Sequence, residues 1–420
     1  MELPTPRRLT LPVAFVLGGL SAFGPLSIDM YLPALPRLAA DFHAPASAAQ
    51  LTVSACLVGL GLGQLAAGPT SDALGRRRPL LVGVVLYAIA SSAAGAAPSL
   101  GVLIGMRFLQ GLAGAAGIAI ARAVVRDLFD GRDVARIFSL LMLVIGVAPI
   151  AGPVLGAQIL RFGSWRWIFV VLGVIGLLLA AGVAVWLPES LPRASRRSGG
   201  PREAARVFRA LASSRTFMGY ALTLAFTFTM LFAYISGSPF VLQTQFGLSA
   251  QAFSFAFAAN AVAIVIGTQA SARLASRVSP HRLLVVGCCL SCGGAAVLLA
   301  AALADLGLVA FLLPLAVLVG SLGVIMPNAT ALALLPHARE AGTASAQLGA
   351  LQFAVGAAVA PLTGLRFGTP AVAMAAVIAA AAAAAFLAFA TLAGLRQPES
   401  GIERTADDSV TGCASSNSAH

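Results

Sequence analysis

The chain has 420 residues, 59% of them hydrophobic and 10% charged, with a mean hydropathy of +0.92. Soluble domains carry about 25% charged residues, so a soluble enzyme or binding module is excluded and an integral membrane protein is expected. The net charge of +12 comes with no lysine, every basic residue being arginine; in a membrane chain such residues anchor cytoplasmic loops, and no nucleic-acid partner is expected.

Arg7 and Arg8 precede the first apolar run, as in a signal peptide. That run is long enough to span, and no small-residue cleavage site follows a short core, so an uncleaved first helix is expected. A helix needs about 20 apolar residues to cross a bilayer. Twelve segments have that length: 11–33, 47–70, 79–98, 101–123, 135–160 and 165–187, then 216–240, 250–273, 282–303, 307–335, 341–365 and 370–395. The long charged interruption at 188–215, with three prolines and seven arginines, divides them into two sets of six. The expected fold is therefore an all-α integral membrane protein with twelve transmembrane helices in two six-helix halves, as in secondary transporters built from parallel repeats. The halves are expected at 1–190 and 216–396, with a cytoplasmic linker at 191–215 and a disordered tail at 397–420.

Arginine placement sets the orientation. With the N-terminus inside, 22 arginines fall on the cytoplasmic side and Arg37, Arg161, Arg166 and Arg366 fall outside, while Arg107 lies within a span. Both termini are expected in the cytoplasm.

The first functional candidate is Asp29, in Ser27-Ile28-Asp29-Met30-Tyr31-Leu32-Pro33-Ala34-Leu35-Pro36 at the end of the first span. An ionised carboxylate in hydrocarbon costs about 2.5–3.5 kcal/mol on insertion scales. It is expected to move a proton, hold a cation or face a water-filled cavity. The loop between the second and third spans reads Gly68-Pro69-Thr70-Ser71-Asp72-Ala73-Leu74-Gly75-Arg76-Arg77-Arg78-Pro79. It resembles the G-x-L-a-D-r-x-G-r-r loop of the major facilitator superfamily, with Thr70 and Ala73 in place of the usual Leu and Arg. Its glycines suit a tight turn and close helix contact. Asp72 is placed to pair with arginine or a helix N-terminus, so Gly68, Asp72, Gly75, Arg76 and Arg77 are expected to form a cytoplasmic gating loop that latches the two halves. The alternative is a positively charged turn without a gating role.

In the fourth span, Arg107-Phe108-Leu109-Gln110-Gly111 resembles the superfamily's R-x-x-q-G signature. A guanidinium within a span must be paired or solvated and keeps its proton. Arg107 is thus expected to tune a carboxylate, Asp29 being the natural neighbour, directly or through water; the alternative is that it snorkels to an interface. In the fifth span, Gly146, Pro149, Gly152, Pro153 and Gly156 resemble the g-x-x-x-G-P-x-x-G signature found mainly in antiporters of the superfamily, with Ala157 replacing the last glycine. Small residues allow close packing and prolines bend the helix.

The strings from Asp29 to Pro36, Arg122-Ala-Val-Val-Arg126-Asp127-Leu-Phe129, Gly237-Ser238-Pro239-Phe240 and Pro327-Asn328-Ala-Thr330 together resemble the bicyclomycin/chloramphenicol-resistance (Bcr/CflA) family of drug–proton antiporters over roughly residues 12–395. The resemblance implies efflux of small, drug-like compounds from the bacterial cytoplasm across the inner membrane in exchange for protons. It makes Asp29 the proton-linked acid and Arg107 its functional partner. Some related exporters carry a second acid two turns earlier; here Leu20-Ser21-Ala22 stands there, so one-acid coupling is expected. An exporter of a metabolite or an amino acid such as cysteine would share the same coupling machinery and stays open as the alternative.

A cavity for hydrophobic cargo needs apolar and aromatic walls with a few polar anchors. The candidates are Tyr31, Gln110, Phe228, Phe232, Tyr234, Asn260, Gln347, Gln352 and Phe353. Aromatic residues in spans also pack or face lipid, and Gln or Asn also bond neighbouring helices. Few other acids lie in the spans, which favours neutral or zwitterionic cargo. Cys288, Cys289 and Cys292 lie in an apolar run without a His or acidic partner and read as packing. No H-E-x-x-H pair, nucleophile elbow or nucleotide-binding loop appears, so no metal, cofactor or enzymatic activity is expected, and a monomer in the lipid bilayer is the default.

Overall fold

The computed structural model describes residues 11–129, 131–192, 201–364 and 368–394, and the regular elements among them are all helical. The expected tail at 397–420 and the linker segment 193–200 lie outside the described residues, as do Arg7, Arg8 and Arg366.

The first span is broken into three pieces: α1 (Leu11–Ser21), α2 (Phe23–Asp29) and α3 (Leu35–Asp41), with a 3-10 turn at Leu32–Ala34 before α3. Prolines explain the breaks. A proline offers no N–H to the carbonyl four residues back and its ring crowds that carbonyl. Pro25 acts in this way on Ser21, Pro33 on Asp29 and Pro36 on Leu32. The two main pieces meet at 48°, and the helical path runs on to Asp41 rather than stopping near residue 33. Asp29 therefore ends α2 at a proline-imposed break in the middle of a span.

The chain continues through α4 (Ala46–Leu74), α5 (Arg77–Gly95), α6 (Leu100–Leu128), α7 (Gly131–Phe162) and α8 (Arg166–Trp186). Next comes a helix within the expected linker, α9 (Pro201–Ser213), and then α10 (Arg215–Pro239), which runs into a π-helical turn at Phe240–Gln245. The last helices are α11 (Ala250–Leu274), α12 (Pro280–Leu303), α13 (Leu308–Leu334), α14 (Ala341–Val359) and α15 (Pro370–Ala388). Among the described residues eleven helices are long and apolar enough to cross a membrane, or twelve when the bent first pair counts as one span.

Local chemistry sets several starts and stops. The side chains of Ser99, Ser214, Ser249, Ser279 and Thr369 each accept the backbone N–H three residues on, capping α6, α10, α11, α12 and α15. Gly75 ends α4 at φ 92°, a conformation that a side chain would strain. Glycines then let helices touch backbone to backbone. A Cβ added at Gly111 of α6 would collide with the Cys56 carbonyl of α4, and one at Gly63 with the Leu112 carbonyl of α6. The same contact recurs between α11 and α13, where Gly267 meets the Gly320 carbonyl and Gly323 the Ile264 carbonyl. The second and fourth spans of each set thus pair through small residues.

The two sets also touch each other. Gln50 Nε2 of α4 donates to the Ser236 carbonyl of α10 (3.1 Å), Gln251 Nε2 of α11 to the Ala157 carbonyl of α7 (3.1 Å), and Ser254 Oγ of α11 to the Pro153 carbonyl of α7 (2.9 Å). All three bonds lie toward the end that holds the α3–α4 turn, opposite the end carrying Arg76–Arg78.

Gly111→Leu is expected to lower the unfolding temperature in detergent, the overpacking penalty being at least about 1–3 kcal/mol. Gly105→Ala, where a Cβ meets open space, should leave it unchanged.

Candidate functional site

Asp29 is 4% exposed. It faces the small side of α7: a Cβ at Gly152 would sit 3.2 Å from the Asp29 Cβ, and one at Gly156 would overlap the Met30 carbonyl. Larger residues at either position would push the first span away. Across the seam between the sets, the carboxylate lies within electrostatic range of the Tyr234 hydroxyl of α10. That hydroxyl accepts a hydrogen bond from Asn260 Nδ2 of α11 (3.1 Å), and the Tyr234 ring stacks on Phe257 at 5.2 Å. Asp29 itself forms no hydrogen bond or ion pair among the described residues.

Arg107 is fully buried, but its partners are not acidic. Its Nε donates to the Thr52 carbonyl (3.3 Å), one terminal nitrogen donates to Gln110 Oε1, and the guanidinium lies 4.3 Å from the centroid of the Tyr31 ring and 5.6 Å from that of Phe169. The other terminal nitrogen has no hydrogen-bond partner. The network extends outward: Tyr31 Oη bonds Thr52 Oγ1 (3.0 Å), Gln110 Nε2 donates to Ser91 Oγ (2.8 Å), Ser91 Oγ donates to the Tyr87 carbonyl (2.7 Å), and Ser27 Oγ bonds Tyr87 Oη (2.7 Å). A cation held by π-faces and neutral dipoles replaces the direct Asp29–Arg107 pair that the sequence allowed. The geometry of α2 explains the difference. Ser27 and Tyr31 are four residues apart and share one face, turned to α4, α5 and α6, whereas Asp29 between them faces α7 and α10.

The loop between α4 and α5 is a tight charge cluster. Arg76 bonds Asp72, Asp127 Oδ2 (2.9 Å) and Ser71 Oγ (2.7 Å). Glu189 accepts the backbone N–H groups of Arg76 (2.7 Å) and Arg77 (3.4 Å), and Ser190 Oγ donates to Asp127 (3.0 Å). Burial opposes the Arg76 charge, but Asp127 and Asp72 outweigh it and raise its pKa. These bonds join the ends of α4, α5, α6 and α8, all in the first set. The latch between sets expected from the sequence is thus, in this state, a clasp within one set. Gly75 supplies the turn, while Gly68 has no neighbour near its missing Cβ and makes no close helix contact. The same holds for Gly146 in α7, whose expected packing role falls to Gly152 and Gly156.

The sequence profile described as Major Facilitator Superfamily matches residues 17–361. The chain belongs to the major facilitator superfamily, in its Bcr/CflA drug-efflux branch. It is 40% identical over 381 residues to the uncharacterized MFS-type transporter YdgK of Bacillus subtilis, covering 90% of this chain and 94% of that one. It is 31% identical to the bicyclomycin resistance protein homolog of Haemophilus influenzae, covering 85% and 89%, and 31% identical to multidrug resistance protein D of Escherichia coli, covering 82% and 86%. Among solved structures, a bacterial homolog of the lysosomal transporter Spinster superposes with a TM-score of 0.73 over 94% of this chain and 100% of that one at 16% identity. The D-xylose–proton symporter gives 0.70 over 92% and 98%, also at 16% identity. Those two likenesses concern the fold alone. The protein is a multi-pass transporter of a bacterial membrane, not an enzyme.

Within this facilitator fold the expected cavity residues separate into groups. Tyr31 and Gln110 belong to the buried layer around Arg107. Phe228, Phe232 and Phe353 form a row with centroids 5.8 and 6.1 Å apart, and Phe353 also sits against Gly61 of α4 across the seam. Tyr234 and Asn260 pair with each other, and the Tyr234 hydroxyl is within electrostatic range of Asp29. Gln347 is buried on α14 with Nε2 4.0 Å from Met218 Sδ, and Gln352 is half-buried on the same helix. Sequence reasoning missed Thr52, Ser91, Ser27 and Tyr87, which complete the Arg107 layer, and Gln50, Gln251 and Ser254, which bridge the sets. Gln50 and Ser254 carry a readable signal, a hydrogen-bonding side chain in an apolar span. Glu189 carries none, since it lies just past a helix end like any loop acid.

Gln110→Leu leaves a second N–H of the buried Arg107 without an acceptor. A stability loss of about 1–3 kcal/mol is expected, read as a lower unfolding temperature of the purified protein, with Gln110→Glu restoring an acceptor and much of the loss.

Proposed function

We propose that this protein is a proton-coupled exporter of small drug-like molecules in the bacterial inner membrane, a drug–proton antiporter working by alternating access as a single chain with both termini in the cytoplasm. The observation that carries the reading is Asp29, a carboxylate buried at the seam between the two sets of helices with no protein partner among the described residues. Such a group is expensive in hydrocarbon as an anion and far less so as a neutral acid. Its protonation state is therefore coupled to which side of the membrane hydrates it. The names of relatives, which speak of bicyclomycin, chloramphenicol and multidrug resistance, support small antibiotics as cargo. The asymmetry of arginines supports an Arg-rich cytoplasmic end. With that orientation, the three hydrogen bonds between the sets lie at the outer end.

The cycle follows from charge. Asp29 takes a proton when the seam opens outward. Loss of its charge weakens the hold on cargo and allows return to the inward-open state. There, cargo entering between the aromatic row and the Tyr234–Asn260 pair favours release of the proton to the cytoplasm. Arg107 acts on Asp29 at a distance, its charge placed by the Tyr31 ring two residues along the same chain segment. The Arg76 clasp keeps the inner ends of the first set together as one body while the sets rock. Gly152 and Gly156 of α7 let the first span lie close to it. Among the described residues the other acids lie at helix ends or in loops, so neutral or zwitterionic cargo is favoured.

The test is transport into inverted membrane vesicles energised by a pH gradient, with chloramphenicol and bicyclomycin among the compounds. Wild-type accumulation should collapse with a protonophore. Asp29→Asn should insert to the wild-type level and lose gradient-driven accumulation; accumulation at the wild-type level by that variant would remove Asp29 from the coupling.

A further inference from the structure

The three consecutive arginines after Gly75 do different things. Arg76 is consumed by the Asp72–Asp127 clasp, and Arg77 donates through Nη2 to the Ala184 carbonyl of α8 (2.5 Å). Arg78 is exposed and forms no hydrogen bond or ion pair among the described residues. The acids of the turn do not neutralise it: Asp72 and Asp127 are bonded to Arg76, and Glu189 accepts the backbone N–H groups of Arg76 and Arg77.

Arg78 stands at the mouth of a cleft of about 530 Å³ on the outer flank of the first set, between α4, α5 and α6. Its floor is made of small residues, Gly63, Gly83, Ala113 and Ala116, because α4 and α6 are drawn together by their glycines while α5 packs on α6 and α8. Its walls are large and exposed, among them Val82 at 59%, Leu86 at 51% and Leu109 at 44%. From Arg78 to Ile89 the cleft follows eleven residues of α5, about 16 Å at 1.5 Å per residue. That is close to one leaflet of a hydrocarbon core about 30 Å thick. The cleft is therefore as long as one acyl chain, apolar along its length, and carries an unpaired guanidinium at the headgroup level.

We propose that this cleft is a binding site for one anionic phospholipid of the leaflet at the arginine-rich end, with an acyl chain lying between α4, α5 and α6 and the phosphate on Arg78. A guanidinium holds a phosphate through two parallel N–H donors, which ordinary lipid contact does not supply. A cytoplasmic leaflet is rich in anionic lipid and attracts basic groups placed just outside a span. The small residues of its floor give an acyl chain room to sink between α4, α5 and α6. The site is remote from Asp29 and does not depend on the proposed transport cycle.

Native mass spectrometry of the full-length purified protein tests it, with phosphatidylglycerol and phosphatidylcholine of identical chains added separately. One phosphatidylglycerol should survive activation that strips phosphatidylcholine. Arg78→Gln should abolish that difference, and Ala66→Phe, which fills the cleft from an exposed position on α4, should weaken retention of both lipids. Arg277→Gln, which removes an exposed arginine at the same end of the second set, should leave retention unchanged. Equal retention of the two lipids by the wild type would overturn the proposal. So would equal losses in Arg78→Gln and Arg277→Gln, which mark diffuse surface charge, or displacement of the lipid by a neutral antibiotic, which makes the cleft a cargo site.

Discussion

The arrangement rests on the approach of the first span to α7. Two glycines, Gly152 and Gly156, remove the side chains that would hold α2 away, and the backbone at Asp29–Met30 fills the space. Without that approach Asp29 would turn to lipid or to the core of its own set. With it, the carboxylate stands where the two sets meet and where any rocking motion must change its surroundings. Prolines prepare the geometry: Pro25 and Pro33, four residues before and after Asp29, break the helix on either side of it. In hydrocarbon a broken helix is tolerated where its freed backbone groups are buried in protein or line a cavity, which confines the break to the bundle interior.

The two buried charges of the first set are treated differently, and the difference has a physical logic. Arg107 cannot lose its proton, so its surroundings are built to keep a permanent cation comfortable: Tyr31 and Phe169 present π-faces, and Thr52 and Gln110 present oxygen. Asp29 can lose its charge by protonation, and among the described residues no donor is hydrogen-bonded to it as an anion. A site meant to fix a carboxylate would resemble Asp127, which holds Arg76 and the Ser190 hydroxyl at once. The contrast separates a structural acid at the helix ends from a free one in the middle of the bundle.

Closure of the two ends also differs in kind. At the end holding the α3–α4 turn, the sets meet through neutral amides and a hydroxyl on backbone carbonyls. Each such bond contributes about 0.5–1.5 kcal/mol, so the contact between the sets is weak bond by bond. At the other end the strong, charge-assisted bonds stay within the first set, where they tie α4, α5, α6 and α8 into a unit. The polar bonds between the sets are thus neutral, and the charge-assisted ones lie inside one set.

The membrane class, the twelve spans and the prominence of Asp29, Arg107 and the loop from Gly68 to Arg78 were legible in the sequence, because hydrocarbon penalises charge and unpaired backbone so heavily that span length and stray ionisable residues stand out one by one. The partners of those residues were not legible. Whether Arg107 meets Asp29 or Tyr31 depends on how α2 is rotated, and two positions on a helix differ by about 200°, which no composition reveals. The Arg76 clasp needed Glu189, more than a hundred residues away, to arrive at the same turn. The helical course of α3 beyond residue 33, the idle glycines at 68 and 146, and the recess behind Arg78 likewise follow from how helices pack. Spacing along a chain lists which groups are small, polar or charged; only the packed bundle decides which faces they share, because those contacts join residues that sequence distance leaves unrelated.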